Sequence, residues 1–388
     1  MIKIGLRPNL KYLIQLLVYT FVRNLITEYL IGRLLKFGVR LIYLPLMFMG
    51  EFSFGLITYL SNKKYLNHNN KVNEINKATT IELISNESNY IEMNDNGIKV
   101  ILLIFFASFF DFIEFILSIE VISKFFICSY TIESRLRGIT LFSQALFYRF
   151  KLNLPIYKHQ KLSLIIVFIC LIITIITEFI FQEFNIFLSY SKFTFCIVMI
   201  FFIQIFNSFL DLIEKYLFEY NHVNPFQCLL LEGVFGLLFS ISYIIYRNPL
   251  PDLNEYYNDN SNLFIYFILS MILYVILSGF KNLFRIVTNK LYSPMAAVLA
   301  EYFINPIYII ISFLFSDDFI SRGERNYGYF IINVILSIFI SLSGCIYNEF
   351  LILFFCKLEY DTYDQISFRA SLRNESILYE DNDDDLSD

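Results

Sequence analysis

Apolar residues in this chain gather into unbroken runs of roughly 20 residues, the length that crosses a hydrocarbon core. Nine runs predict spanning helices: about 41–60, 98–119, 121–148, 162–182, 193–217, 226–246, 262–282, 292–315 and 328–356. A tenth segment, 11–32, carries Lys11, Gln15, Arg23, Asn24 and Glu28, a composition that also suits a helix lying in the interface. Gln15, Tyr19 and Arg23 recur at i+4 spacing, however, on one side that a bundle interior can cover. The segment is therefore read as spanning, which gives ten helices.

Two of these runs share a pattern. PLMFMGEFSFGLITY (45–59) and PFQCLLLEGVFGLLFSI (225–241) both contain E-x-x-F-G-L, with a proline six or seven residues before the glutamate. Glu51 aligns with Glu232, Phe54 with Phe235 and Gly55 with Gly236, at a shift of 181 residues. With this register, 11–32 stands to Glu51 as 193–217 stands to Glu232. The expected fold is an all-α membrane protein of ten transmembrane helices, in two inverted five-helix repeats at 11–182 and 193–356. An odd number of helices per unit makes the second copy enter the membrane from the other side, an arrangement usual in secondary transporters. Residues 1–10 form a cytoplasmic N-terminus, 61–97 a mobile polar loop, and 357–388 an acidic disordered cytoplasmic tail ending EDNDDDLSD.

Composition narrows the function. The chain is 57% hydrophobic and 17% charged, and no polar interval exceeds the 37 residues of 61–97, which leaves no room for a soluble catalytic domain. With the N-terminus inside, cytoplasmic segments hold 18 Lys and Arg against eight in the opposite loops, so both termini are placed in the cytoplasm. Five of the six cysteines fall within apolar runs without a C-x-x-C pair, so neither a metal site nor a disulfide framework is indicated. Phosphate-loop, H-E-x-x-H and G-x-S-x-G patterns are absent, and no nucleophile–base set is present. An enzyme is not expected, and no cofactor, metal or nucleic acid.

Polar side chains at membrane depth then become the informative ones, because an ionisable group there costs at least about 2.5–3.5 kcal/mol. On 121–148, Glu133, Arg137, Thr140, Gln144 and Tyr148 follow one side of a helix. On 292–315, Glu301, Asn305, Tyr308 and Ser312 do the same. Such stripes either glue helices together or line a wet cavity; two of them on corresponding helices favour the cavity. Glu133 and Arg137, one turn apart, are placed to pair. Glu51 and Glu232 suit a gate or a structural pair. Secondary candidates are Asp111 and Glu114 with Ser108 and Ser118, and Asn207 and Asp211 with Gln204. Asn282, Arg285 and Asn289 follow the expected end of 262–282 and suit cytoplasmic positions as well as a site. His159, in YKHQK, reads as a solvated loop residue.

Ten helices in inverted repeats with cytoplasmic termini and short loops resemble the drug/metabolite transporter superfamily, which includes the nucleotide-sugar transporters. NPFQCLLLEGVFGLLFS (224–240), RGITLFSQALFYRFKLNLPIYKHQKLSLIIV (137–167) and TNKLYSPMAAVLAEYFINPIYII (288–310) are similar to that family's segments around its fourth, seventh and ninth helices. The nucleotide-sugar members' F-Y-N-N and G-A-L-N-K motifs are absent, which argues against a GDP-sugar. The resemblance implies a cavity lined by the fourth and ninth helices, hence by Glu133, Arg137, Thr140, Gln144, Glu301, Asn305 and Tyr308. The expectation is an alternating-access solute transporter for an anionic metabolite or nucleotide sugar, in an endomembrane (Golgi, ER or vesicular) or the plasma membrane. Arg137 would attract the anion, and Glu133 or Glu301 would carry a coupling proton. Its partners are the small solute, the lipid bilayer and, compatibly, a second copy in a homodimer. The competing reading is a non-transporting scaffold or receptor-like subunit on a transporter-derived fold.

Overall fold

The computed structural model describes residues 2–4, 10–26, 41–76, 97–124, 136–150, 156–183, 190–249, 264–292, 294–315, 320–321, 324–325, 327–354, 358–362, 365 and 369. Helices dominate: α1 (Leu10–Ile26), α2 (Tyr43–Asn76), α3 (Gly97–Lys124), α4 (Gly138–Phe150), α5 (Lys158–Glu183) and α6 (Tyr190–Tyr220) come first. They are followed by α7 (Pro225–Arg247), α8 (Phe264–Leu291), α9 (Pro294–Glu301), α10 (Asn305–Phe315) and α11 (Tyr327–Tyr347). Among the described residues, eight helical stretches are long and apolar enough to cross a membrane, while α4 contributes a shorter apolar one.

Boundaries follow local chemistry. α7 opens on Asn224, whose side chain accepts from the Phe226 amide at 2.9 Å, with Pro225 at the first helical position, where its missing N–H costs nothing. It closes on Asn248 in the left-handed region (φ 44°). The predicted span 292–315 is divided into α9 and α10 by a 3-10 turn at Tyr302–Ile304. Pro306 explains the break: it offers no N–H to the Tyr302 carbonyl four residues back. That carbonyl instead takes the Asn305 amide and, at 2.9 Å, the Ser341 hydroxyl. Two further boundaries shift. The expected junction between the third and fourth spans lies inside continuous α3, where no glycine or proline interrupts residues 98–124. α2 continues to Asn76 because 61–76 also lacks both, so the first part of the expected loop is helical.

The helices are turned inside out relative to a water-soluble protein. On α5, Ile165, Ile169, Ile172, Ile176 and Ile180 are all exposed along one stripe, with Ile165 56% exposed. The opposite side buries Ser163, Thr174 and Glu178. An apolar exterior over polar contacts is stable only in lipid.

Packing centres on α2 against α7, with α3 on α6, α1 on α8, α2 on α8, α3 on α7 and α5 on α11. The α2–α7 crossing needs its glycines. A methyl at Gly55 would stand 2.6 Å from the Leu230 nitrogen, one at Gly233 would meet the Phe52 backbone, and one at Gly236 the Phe48 ring. α5 and α11 are joined by reciprocal bonds: the Ser163 hydroxyl donates to the Ser343 carbonyl at 2.8 Å, and the Ser343 hydroxyl to the Ser163 carbonyl at 2.9 Å. Further along, Tyr329 donates to Glu178 at 2.7 Å. β1 (Ile2–Ile4) pairs antiparallel with β4 (Leu351–Leu353), so the two ends of the helical region meet at one end of the bundle. A minor hairpin joins β2 (Ile320–Ser321) to β3 (Glu324–Arg325).

Candidate functional site

α6 carries Gln204, Ser208, Asp211 and Glu214 along one side, and α8 carries Ser278, Asn282, Arg285 and Asn289 along another; all are buried. Where these sides meet, the Arg285 guanidinium becomes the hub. Its Nη1 stands 3.3 Å from Asp211 Oδ1 and 2.6 Å from Glu214 Oε1, and its Nη2 is 3.8 Å from Glu232 Oε2 of α7. Asn289 Nδ2 donates to Asp211 Oδ1 at 3.1 Å and to Glu214 Oε2 at 2.7 Å. Gln144, on α4, donates to Asp211 Oδ2 at 2.8 Å. Asn282, one turn before Arg285, donates to Glu51 Oε1 of α2. Cys228 Sγ lies 3.3 Å from Glu232 Oε1, and the Ser108 hydroxyl of α3 donates to the Glu232 carbonyl at 2.9 Å. Asp111 lies within electrostatic reach of Glu51, Arg285, Lys281 and Arg23, and Glu114 of Lys281.

One polar core therefore draws on α2, α3, α4, α6, α7 and α8. Charges can be buried there because they face one another; an isolated one in hydrocarbon would cost kilocalories. The core sits toward the end where α6 and α8 finish and α7 begins, which the Lys215 ammonium ties off. It donates to the Asn289 and Tyr292 carbonyls, both at 3.2 Å, and pairs with Glu219 at 2.6 Å. The Asn289 carbonyl is one that the last turn of α8 leaves without a helical partner, and Tyr292 directly follows that turn.

Among the described residues, the two stripes read from the sequence meet where Arg137 is ion-paired with Glu301 of α9. Above it the first stripe turns toward α6 instead: Thr140 donates to Gln204 Oε1 at 2.7 Å, and Gln144 joins Asp211. Asn305 is half-buried at the head of α10. Glu133 lies outside the described residues, as do the side chains of Tyr148, Tyr308 and Ser312. Glu51 and Glu232, expected as a repeat pair, both enter the core, as does Asp211; Asn207 is half-buried one turn before it.

Three features differ from the sequence reading. Asn282, Arg285 and Asn289 are not loop residues, because α8 runs on to Leu291; their i, i+3, i+7 spacing was the available signal. Glu214 escaped notice, although it lies three residues after Asp211. His159 is buried rather than solvated: the first turn of α5 tucks under the end of α11, setting His159 against Tyr157 and 3.4 Å from Glu349. No group of three His, Cys, Asp or Glu side chains disposed to hold a metal occurs among the described residues.

Apolar spanning helices, lipid-compatible outer faces and a buried polar core make this a multi-pass α-helical membrane protein. No protein-family model matches the chain, and no curated protein is significantly similar to it.

Proposed function

We propose that the chain is a solute transporter of the drug/metabolite type, in which two inverted repeats of five spans, α1–α5 and α6–α11 with α9 and α10 as the halves of one span, rock about the Arg285-centred core. The observation that carries this reading is the α2–α7 crossing. Shifting by 181 residues exchanges Gly55 with Gly236, Phe48 with Leu229, and Phe52 with Gly233. The contact of Gly55 with Leu229 then maps onto that of Gly236 with Phe48, and the contact of Gly233 with Phe52 maps onto itself. As positions rise on α2 they fall on α7, so the helices are antiparallel, and the two-fold relating them lies across their axes. α5 and α11 repeat the relation through Ser163 with Ser343 and Glu178 with Tyr329. The remaining neighbours agree: α3 on α6 corresponds to α8 on α1, and α2 on α8 to α7 on α3. A two-fold in the membrane plane, with ionisable groups gathered beside it, is the framework of alternating access.

A scaffold is favoured by one observation: Arg137, Thr140 and Gln144 all bond neighbouring helices, as packing residues would. Cysteine accessibility separates the readings. With the six native cysteines replaced by serine, Gln144→Cys in a rocking transporter reacts with an impermeant thiol reagent applied from either side, at rates that shift when solute is present. A closed scaffold leaves it unreactive from at least one side under every condition.

A further inference from the structure

Glu51 of α2 and Asp111 of α3 are hydrogen-bonded to each other through their carboxyls. An ionised carboxylate only accepts hydrogen bonds, so this bond exists only with a proton between the two groups. A second observation agrees. Glu51 is fully buried, and its Oε1 accepts from Asn282, but its Oε2 receives no N–H or hydroxyl among the described residues. A bare carboxylate oxygen without a donor is costly inside a membrane; a carboxyl that shares a proton with its neighbour is not left bare.

The surrounding charges favour one proton on the pair. Arg23 and Arg285 reach both carboxyls electrostatically, and Lys281, which also feels Glu114 and Arg137, reaches Asp111. These cations make one negative charge tolerable. Glu214 of α6 and Glu232 of α7 act on Glu51 from the other side and oppose a second, while Asp211 joins them through Arg285. We propose that Glu51 and Asp111 form a proton-binding dyad holding one shared, exchangeable proton. On uptake a carboxylate oxygen takes the proton from hydronium; on release the O–H returns it to water. Asp111 is half-buried and Glu51 fully buried, so the proton enters and leaves by Asp111. The site needs no cavity larger than the hydrogen bond itself. Its use rests on the transporter reading, to which it supplies a coupling ion, in place of a proton on Glu301, which is ion-paired with Arg137.

The test is infrared difference spectroscopy of the purified full chain in lipid, because a protonated carboxyl shows a C=O stretch that a carboxylate lacks. Parent-minus-variant spectra are recorded for Glu51→Gln, Asp111→Asn and the double variant. In either single variant the new amide donates an N–H to the remaining carboxylate and takes over the proton's place. Each single variant therefore loses the same protonated-carboxyl band, and the double variant loses no more. In the parent that band shifts on transfer to heavy water and bleaches as the pH is raised. Should one single variant unfold, the other is read alone: loss of the band upholds the dyad and its persistence overturns it. The proposal is overturned if the two losses add, as for carboxyls that titrate independently, or if neither variant changes the band. It is equally overturned if the band ignores both pH and heavy water, which would make the proton a sealed structural one. Gln144→Cys accessibility is scored separately. A titrating dyad with Gln144→Cys closed to one side upholds the proton site and sinks only transport, whereas a failed dyad with Gln144→Cys open to both sides overturns the site and leaves transport standing.

Discussion

Gly233→Ala tests the crossing on which the two halves meet. In an ordinary helix interior this change gains about 0.8–1 kcal/mol. Here the added Cβ would lie 2.7 Å from the Phe52 Cα and meet the Phe52 nitrogen as well. Carbon atoms pack at about 3.5–4.0 Å, so α2 and α7 must separate by about 1 Å. Phe52 offers backbone here, which no rotamer change can clear. The separation also loosens Gly55 against Leu230 and Gly236 against Phe48, one turn away on either side. Overpacking of this kind costs about 1–3 kcal/mol, and together with the poorer packing at the neighbouring glycines it outweighs the gain in helix propensity. Gly138→Ala is the matched control: its Cβ would meet the ends of the Leu171 and Val167 side chains, which can move. Thermal unfolding of the purified variants in one detergent reads the difference. Gly233→Ala melts below the parent and Gly138→Ala close to it. A Gly233→Ala protein as stable as the parent would refute the close backbone crossing.

Arg137→Ala leaves the buried Glu301 carboxylate without its cation and destabilises the protein, whereas Arg137→Ala with Glu301→Ala recovers much of the loss. The cycle gives a coupling of about 1–3 kcal/mol, and additive losses would show that the pair contributes nothing. Asn86 and Asn374 are the two N-x-[ST] acceptors, and both are expected in the cytoplasm. Expression in a eukaryotic membrane leaves both unglycosylated; a glycan at Asn86 would invert the topology.

Membrane character and most helix positions are legible in the sequence because a spanning run must be apolar throughout. The run 121–148, however, is divided between the end of α3 and α4, with 125–135 outside the described residues, and the run 328–356 overruns α11 into β4. E-x-x-F-G-L marks the α2–α7 crossing for a physical reason: glycine is what lets two backbones touch, and the glutamate beside it needs an interior to face. What stays hidden is which polar residues meet. Arg285 lies three residues past the run that ends near 282, so hydropathy alone assigns it to a loop, although its spacing from Asn282 and Asn289 continues the helix. Pairings such as Arg137 with Glu301 join residues 164 positions apart, and nothing local encodes them. His159 is hidden for a similar reason, since its cover comes from α11, far along the chain.

Counterflow in liposomes is the most direct test of transport. Purified chain is reconstituted in vesicles loaded with unlabelled solute, over a panel of amines, guanidines, nucleotide sugars and organic acids, and uptake of the same labelled solute is followed. A transporter that rocks about the Arg285-centred core gives saturable, transient accumulation of at least one solute class, and Glu232→Gln abolishes it in protein that still reconstitutes and melts like the parent. Binding by thermal shift with no counterflow for any bound solute would contradict transport and leave a receptor-like or scaffolding membrane protein.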